Sequence, residues 1–278
     1  MSRMDTRDPK KGLFMNVDSR IVPLCGVKNF RDMAGYRARD GRYMRPGRIF
    51  RSGHLSDMTE DCGTEMFARD IETVIDFRSP REKDRHPVRW PNSWIPDYHA
   101  VPIGGNAAAW VKELYDRLSD SDFPAKELHE QFIKAFETIP IENAEGLREF
   151  FNTLIDDHKG NAVLFHCTAG KDRTGIAGAL LMKALDIPDE QIMEDFLLTN
   201  RAVNLDTATE EIAQWISKKA GRTIKPTDVV PLAGVEASFL HAAYASIEKH
   251  YGSLQNYFAE ALGLDDDRLE KLRDIYLA

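Results

Sequence analysis

A chain of 278 residues, 42% hydrophobic and 29% charged, is long enough to bury a substantial core and too ordinary in composition to be collagen-like or disordered. Forty-five acidic against 37 basic residues leave a formal charge of -8 and a pI near 5.6. This excludes a chain that coats nucleic acid, and any anion it handles must meet a local basic site.

Residues 1–19 are polar, charged and without period, and read as a flexible leader ahead of one domain over 20–278. Lys10 and Lys11 are mixed with Asp5 and Asp8, and no apolar stretch of signal-peptide length follows. The longest apolar run, Ile176 to Leu185, is interrupted by Gly178 and Lys183, so no integral membrane segment is expected. Cys25, Cys62 and Cys167 are spaced as neither a disulfide framework nor a zinc pair. A cytoplasmic protein without metal or cofactor follows as the expectation.

From Arg20 to Leu55, glycines at 26, 35, 41, 47 and 53 punctuate short strands and turns. Asp40-Gly41 is a hairpin signal, and Ile49-Phe50-Arg51 reads as a short strand. Asp61 to Asp70 fits a helix, Ile71 to Phe77 is a β-branched buried strand, and Ile95 to Ile103 fits a further strand. Helical patterns follow over Ala107–Leu118, Lys126–Thr138 and Ile141–Asp157, the last with Leu147, Phe150, Phe151 and Leu154 on one face. Asn161 to His166 is a compact apolar strand. Beyond Gly175 the chain reads as helices over Ile176–Leu185, Asp189–Ala202, Ala208–Ala220, Ala233–Tyr251, Leu254–Ala261 and Asp265–Tyr276. Alternating strands and helices predict an α/β single domain whose central, mostly parallel sheet is flanked by helices, with a helical insertion over 106–138 and a helical C-terminal extension.

The segment that carries chemistry runs from Val163 through His166-Cys167-Thr168-Ala169-Gly170-Lys171-Asp172-Arg173-Thr174-Gly175. A strand feeds a glycine-containing loop and then a helix N-terminus, where backbone N–H groups and the helix dipole converge on an anion. Cys167 stands at the loop entrance, and the Arg173 guanidinium can clamp two phosphate oxygens. The same field favours a thiolate, so covalent phosphoryl transfer through a phosphocysteine needs no metal. Spacing alone does not establish this, because Cys25 and Arg31 repeat it. Cys25 lacks both a preceding apolar strand and a following glycine loop, and it and Cys62 read as small buried hydrophobes.

This loop resembles the phosphate-binding loop of cysteine-dependent protein tyrosine phosphatases. Its Ala-Gly-Lys-Asp-Arg-Thr-Gly form is similar to the PtpB/LipA-type bacterial subfamily, a relative of the dual-specificity phosphatases. The resemblance extends through Asn29-Phe30-Arg31-Asp32, Arg45-Pro46-Gly47-Arg48-Ile49-Phe50-Arg51-Ser52-Gly53-His54-Leu55, Val74-Ile75-Asp76-Phe77-Arg78 and Tyr251-Gly252-Ser253, and so covers roughly residues 20–277. It implies a tyrosine or dual-specificity phosphatase fold, Cys167 as nucleophile, and Arg173 as phosphate and transition-state clamp. Thr168, Ala169, Gly170, Lys171, Asp172, Arg173 and Thr174 would line the phosphate. Thr174 matches the position whose hydroxyl bonds the cysteine sulfur, an ordinary N-cap threonine being the alternative, and His166 matches the histidine that orients the loop.

The general acid is open. Many relatives carry an aspartate on a loop after a strand upstream of the cysteine, whereas Gly104-Gly105-Asn106 stands there in this chain. Asp172, inside the loop, and Asp76, at the carboxyl end of a predicted strand, are the two candidates; the bland alternative for each is an ion pair, Asp76 with Arg78 or Arg173. Lys171 would add positive charge at the mouth, which suits substrates with more than one phosphate, including phosphoinositides, unless it is merely solvated. The insertion, with Trp110, Leu114, Phe123, Phe132 and Phe136, resembles a lid, although such stripes usually face a core. The expected partners are a phosphorylated protein or small phosphorylated substrate. The expected activity is metal-independent hydrolysis of phosphate monoesters, phosphotyrosine first, with a weakly catalytic phospho-ligand binder as the alternative.

Overall fold

The computed structural model describes residues 17–24, 26–104, 125–157 and 160–278. Five strands form one sheet in the order β1-β2-β5-β3-β4: β1 (Arg31–Asp32), β2 (Ile49–Ser52), β3 (Ile71–Asp76), β4 (Asp97–Ala100) and β5 (Ala162–His166). All neighbours are parallel except β1, which runs antiparallel to β2. Helices cover both faces, so the central strands are buried along almost their whole length rather than alternately. Every residue of β5 is buried, and Glu72 is the one exposed residue of β3.

Successive side chains still divide between two cores. Phe50, Val74 and Leu164 turn to a small core with Phe30, Leu55, Met66 and Trp94. Ile49, Ile75, Val163 and Phe165 turn to the larger core, where Phe77, Phe150 and Phe151 gather. The small core is covered by α1 (Glu60–Ala68), and α2 (Pro80–Arg85) follows β3. The helices from mid-chain onward are α3 (Ala125–Glu142), α4 (Ala144–Asn152), α5 (Arg173–Ala184), α6 (Asp189–Ala202), α7 (Leu205–Ala220), α8 (Val230–Ala233), α9 (Ala237–Tyr251), α10 (Leu254–Asn256) and α11 (Asp266–Tyr276). No helix among the described residues is long and apolar enough to cross a membrane.

Several expectations are corrected. The helix expected over Lys126–Thr138 continues through Pro140 to Glu142, and the next one is split into α4 and a π-helical turn, Thr153–Asp157. Proline removes one helical N–H, and here the Pro140 carbonyl is engaged by the Tyr257 hydroxyl at 2.6 Å, a tertiary bond invisible to local pattern. The strand expected over Ile95–Ile103 shortens to Asp97–Ala100, although Val101 and Ile103 still donate to the carbonyls of Asp76 and Phe77. Asp40-Gly41 makes a turn closed by one isolated bridge, Arg37 to Tyr43, instead of a two-stranded hairpin. Residues 17–19 of the expected leader join Arg20 in a 3-10 turn, and 1–16 lie outside the described residues. Cys25, the helix expected over 107–118, and Trp110, Leu114 and Phe123 of the expected lid lie outside them too. Phe132 and Phe136 are buried against Phe239 of α9, so these two belong to the core.

The topology places the site. Strand β5 lies between β2 and β3, with Ser52 and Asp76 both level with His166, so three strand ends meet at one edge. In an open α/β sheet that edge, beyond the carboxyl ends of the strands, is where a crevice forms.

Candidate active site

Cys167 leaves the end of β5 buried, and the chain turns through Thr168–Asp172 into α5, whose first residue is Arg173. Asp172 is the N-cap residue but makes no side-chain bond to the helix, so the first-turn amides stay directed at the loop interior. The loop carbonyls are drawn the other way. Thr168 O accepts from His54 N at 2.9 Å. Asn29 Nδ2 donates to Ala169 O and Gly170 O at 3.3 and 2.9 Å, and Arg51 Nη2 donates to Gly170 O at 3.1 Å. A peptide whose carbonyl faces outward presents its N–H inward, the arrangement that suits an anion. Gly170 sits at φ +70° with its Cα against β2; a Cβ there would lie 2.4 Å from Ser52 O, so no other residue fits.

Arg173 is held by a residue that the sequence reading missed. Its Nη1 and Nη2 donate to Glu82 Oε2 and Oε1 at 2.8 and 2.6 Å, a bidentate pair, and Thr168 Oγ1 donates to the same carboxylate. Glu82 is fixed in turn by α2, where Ser79 donates from N and Oγ to Glu82 Oε2 at 2.9 Å each. Burial opposes ionisation of Glu82, but the Arg173 bonds prevail and hold its carboxyl far below the ordinary range. The local signal was present: Ser79-Pro80-Arg81-Glu82 is a capping box with proline at N1, which marks a helix start.

Asp76 forms the buried ion pair with Arg78, accepting from Arg78 Nε and Nη2 at 3.0 and 2.8 Å and from Tyr98 OH at 2.8 Å. Against the opposing effect of burial, His166 and Arg78 hold its carboxyl below the ordinary range. Asp76 faces His166, with Oδ2 3.8 Å from Nε2, and has no bond to Arg173. His166 is fully buried; its Nδ1 lies 3.0 Å from Cys167 O, so that nitrogen carries the proton. Burial draws the imidazole below its ordinary value, against the pull of the Asp76 carboxylate.

Lys171 is not at the mouth. It is buried, its Nζ donates to Asp172 Oδ1, Pro231 O and Gly234 O at 3.0, 2.9 and 3.2 Å, and it lies 4.3 Å from the Phe132 ring centroid. All three ammonium donors are spent, two of them tying the loop to the segment around α8. Asp172 keeps a partly open carboxyl beside the loop, with Oδ1 on Lys171. Thr174 is the second residue of α5 rather than its N-cap, and its buried hydroxyl has no hydrogen-bond partner. The fold thus sets Cys167, the loop, Asp172 and Arg173 at the end of β5, and leaves Asp76 at the end of β3, engaged by Arg78 and Tyr98.

Known proteins place this geometry in a lineage. Residues 22–278 match the profile described as tyrosine phosphatase family. A protein of Cupriavidus necator, described provisionally as a tyrosine-protein phosphatase, is 31% identical over 254 residues, covering 91% of this chain and 86% of its own. The triple specificity protein phosphatase PtpB of Mycobacterium tuberculosis is 30% identical over 284 residues, covering 92% of this chain and 99% of its own. A tyrosine-protein phosphatase of Nostoc commune is 24% identical over 224 residues, covering 80% of this chain and 70% of its own. With the family profile spanning nearly all of the domain, the α/β protein whose Cys-to-Arg loop closes the central strand belongs to the tyrosine phosphatase family.

Proposed function

We propose that this enzyme hydrolyses aryl phosphate monoesters, phosphotyrosine in proteins above all, through a phosphocysteine at Cys167. The observation that carries the reading is the loop: its carbonyls are pulled outward by Asn29, Arg51 and the His54 amide, while Arg173 enters from α5 already oriented by Glu82. Such a cradle is built for a tetrahedral dianion and costs no reorganisation when charge develops.

In the first step the Cys167 thiolate attacks phosphorus, the bond from phosphorus to the leaving oxygen breaks, and Asp172 gives that oxygen its proton. In the second, water attacks the phosphocysteine, its proton passes to Asp172, and the P–S bond breaks to release phosphate and regenerate the thiolate. The Thr174 hydroxyl, buried and without a partner of its own, is suited to donate to the departing sulfur. Asp172 is favoured as the acid because its carboxyl is partly open beside the loop, whereas Asp76 is sealed under Arg78 and Tyr98 and serves to orient His166. A phenol is a better leaving group than an alkyl alcohol, and this ranks tyrosine above serine and threonine esters. Phosphoinositides remain substrates to assay, now without a lysine at the mouth to argue for them.

The test is steady-state hydrolysis of an aryl phosphate in EDTA across pH. The wild type turns over, Cys167→Ser does not, and Asp172→Ala loses the alkaline limb while Asp76→Ala keeps it. Turnover by Cys167→Ser would overturn the phosphocysteine. An inert wild type that still binds vanadate would make the chain a phospho-ligand reader.

A further inference from the structure

Among the described residues, the ion pairs at and beside the loop match one to one with a single exception. Arg173 has Glu82, Lys171 has Asp172, and Arg78 has Asp76. Beneath the loop, however, Arg31 and Arg51 share one carboxylate. Arg31 Nε reaches Asp195 Oδ1 at 3.2 Å and Arg51 Nη1 reaches Asp195 Oδ2 at 2.6 Å. Both arginine side chains are fully buried and that of Asp195 is 2% exposed. The other charged neighbours of this cluster are accounted for: Arg20 pairs with Glu194, and Asp32, adjacent in β1, accepts instead from Gly47 N at 2.8 Å. Two buried cations against one anion leave one positive charge out of water, an unfavourable arrangement unless another anion completes it.

The fold makes room for this surplus at a specific place. Arg51 lies under the first turns of α5, where a Cβ on Gly178 would stand 3.1 Å from Arg51 Nη1 and one on Gly175 2.8 Å from the Phe196 ring. From there Arg51 Nη2 bonds Gly170 O in the loop. Arg31 Nη1 donates to Asn29 Oδ1, and Asn29 Nδ2 in turn holds Ala169 O and Gly170 O. Burial, then Arg31, draws Arg51 down to about 10, against the pull of Asp195 and Cys167.

We infer that Arg51, Arg31 and Asp195 form a positioning cluster whose surplus positive charge is completed by the Cys167 thiolate, so that it both favours the nucleophile's ionised form and aims the loop's amides. This rests on the phosphocysteine reading and assigns a role to three residues that touch no substrate. The idea requires opposite signs from opposite charge changes. Deleting a cation removes the surplus, and deleting the anion doubles it.

The experiment is the pH dependence of Cys167 alkylation by iodoacetamide in Arg51→Met, Asp195→Asn and Arg51→Lys, each verified as folded by near-ultraviolet circular dichroism. The expected midpoint rises by about one pH unit in Arg51→Met and falls by a similar amount in Asp195→Asn, as for a charge brought to or taken from a thiol's neighbourhood. Arg51→Lys, which keeps the charge but not the fork, holds the midpoint near wild type while kcat on an aryl phosphate falls. A packing role alone would lower activity in all three without moving the two midpoints in opposite directions. Midpoints that shift the same way, or not at all, overturn the inference. Should Arg51→Met fail to fold, Asp195→Asn, nearly isosteric with the native residue, decides the sign alone. Alkylation does not depend on turnover, so an inert wild type in the EDTA assay would sink the phosphocysteine reading and leave the charge test legible.

Discussion

Glu82 shows how much of this site depends on a single side chain. It is the common acceptor for Arg173, Thr168 and Ser79, and it orients the guanidinium before any substrate arrives. Glu82→Gln keeps the shape but removes the charge from a bidentate pair, and a hydrogen bond to a charged group is worth about 1.5–3 kcal/mol. The expected result is a fall in kcat/KM of roughly ten- to hundredfold, by the same conversion, read with an aryl phosphate; an unchanged value would show that the loop orients Arg173 unaided. Because its folded carboxyl is held below the ordinary 4.5, the stability it supplies is complete above that value and is lost as pH falls toward the folded value. Asp32 has the opposite sign. Burial raises it from 3.8 to about 7, with Oδ1 unpartnered, so ionising it costs the folded state progressively more between those values. Asp32→Asn should therefore gain stability over wild type as pH rises from about 4 to 7, reaching about 1–3 kcal/mol, the cost of a buried unsatisfied group. Thermal melts at several pH values would show it, and a gain independent of pH would contradict the assignment.

At the scale of elements, α2 is a single helical turn and a half whose purpose is to present Glu82. Ser79→Ala removes its cap, at about 1 kcal/mol, and should lower kcat/KM on an aryl phosphate more than it lowers the melting temperature, because the helix it loosens supports Arg173 rather than the core. A melt that drops while activity holds would separate α2 from the site. This element also marks the limit of legibility. The order of strands and helices and the passage from β5 through a glycine-containing loop into α5 were readable because apolar period and glycine placement are local signals. α2 carried its own signal in Ser79-Pro80-Arg81-Glu82, too short for periodicity to register. Lys171 was misread for a different reason: nothing in Ala-Gly-Lys-Asp-Arg tells that the carbonyls of Pro231 and Gly234, some sixty residues on, will take the ammonium. The ion pair of Asp76 with Arg78 was foreseen as an alternative, yet its partner Tyr98 sits on β4 and enters only when the parallel sheet forms. Tertiary partners, not local preference, settle which charged residues are free to act.

For the molecule as a whole, the aromatic seam between sheet and helices sets stability. Phe150 of α4 meets Phe77, Phe151 and Phe165 with ring centroids 5.4, 5.2 and 5.1 Å away, so one ring couples two strands' ends to the helical layer. Phe150→Ala should cost about 3–5 kcal/mol by denaturant titration, through lost burial and the cavity left behind; a loss below about 1 kcal/mol would mean that the seam collapses to fill the gap.

The seam is not what closes the domain. Tyr43 exchanges backbone bonds with Ala278, Met44 bridges to Leu277, and Arg45 Nε donates at 2.7 Å to Leu277 O, a partner 232 residues away. Loop-closure entropy must be met before contacts of such separation return anything, so these pairings raise the contact order and form late in folding. On the ribosome the segment before β2 waits for residues 273–278 to emerge, and until then its backbone groups lack these partners.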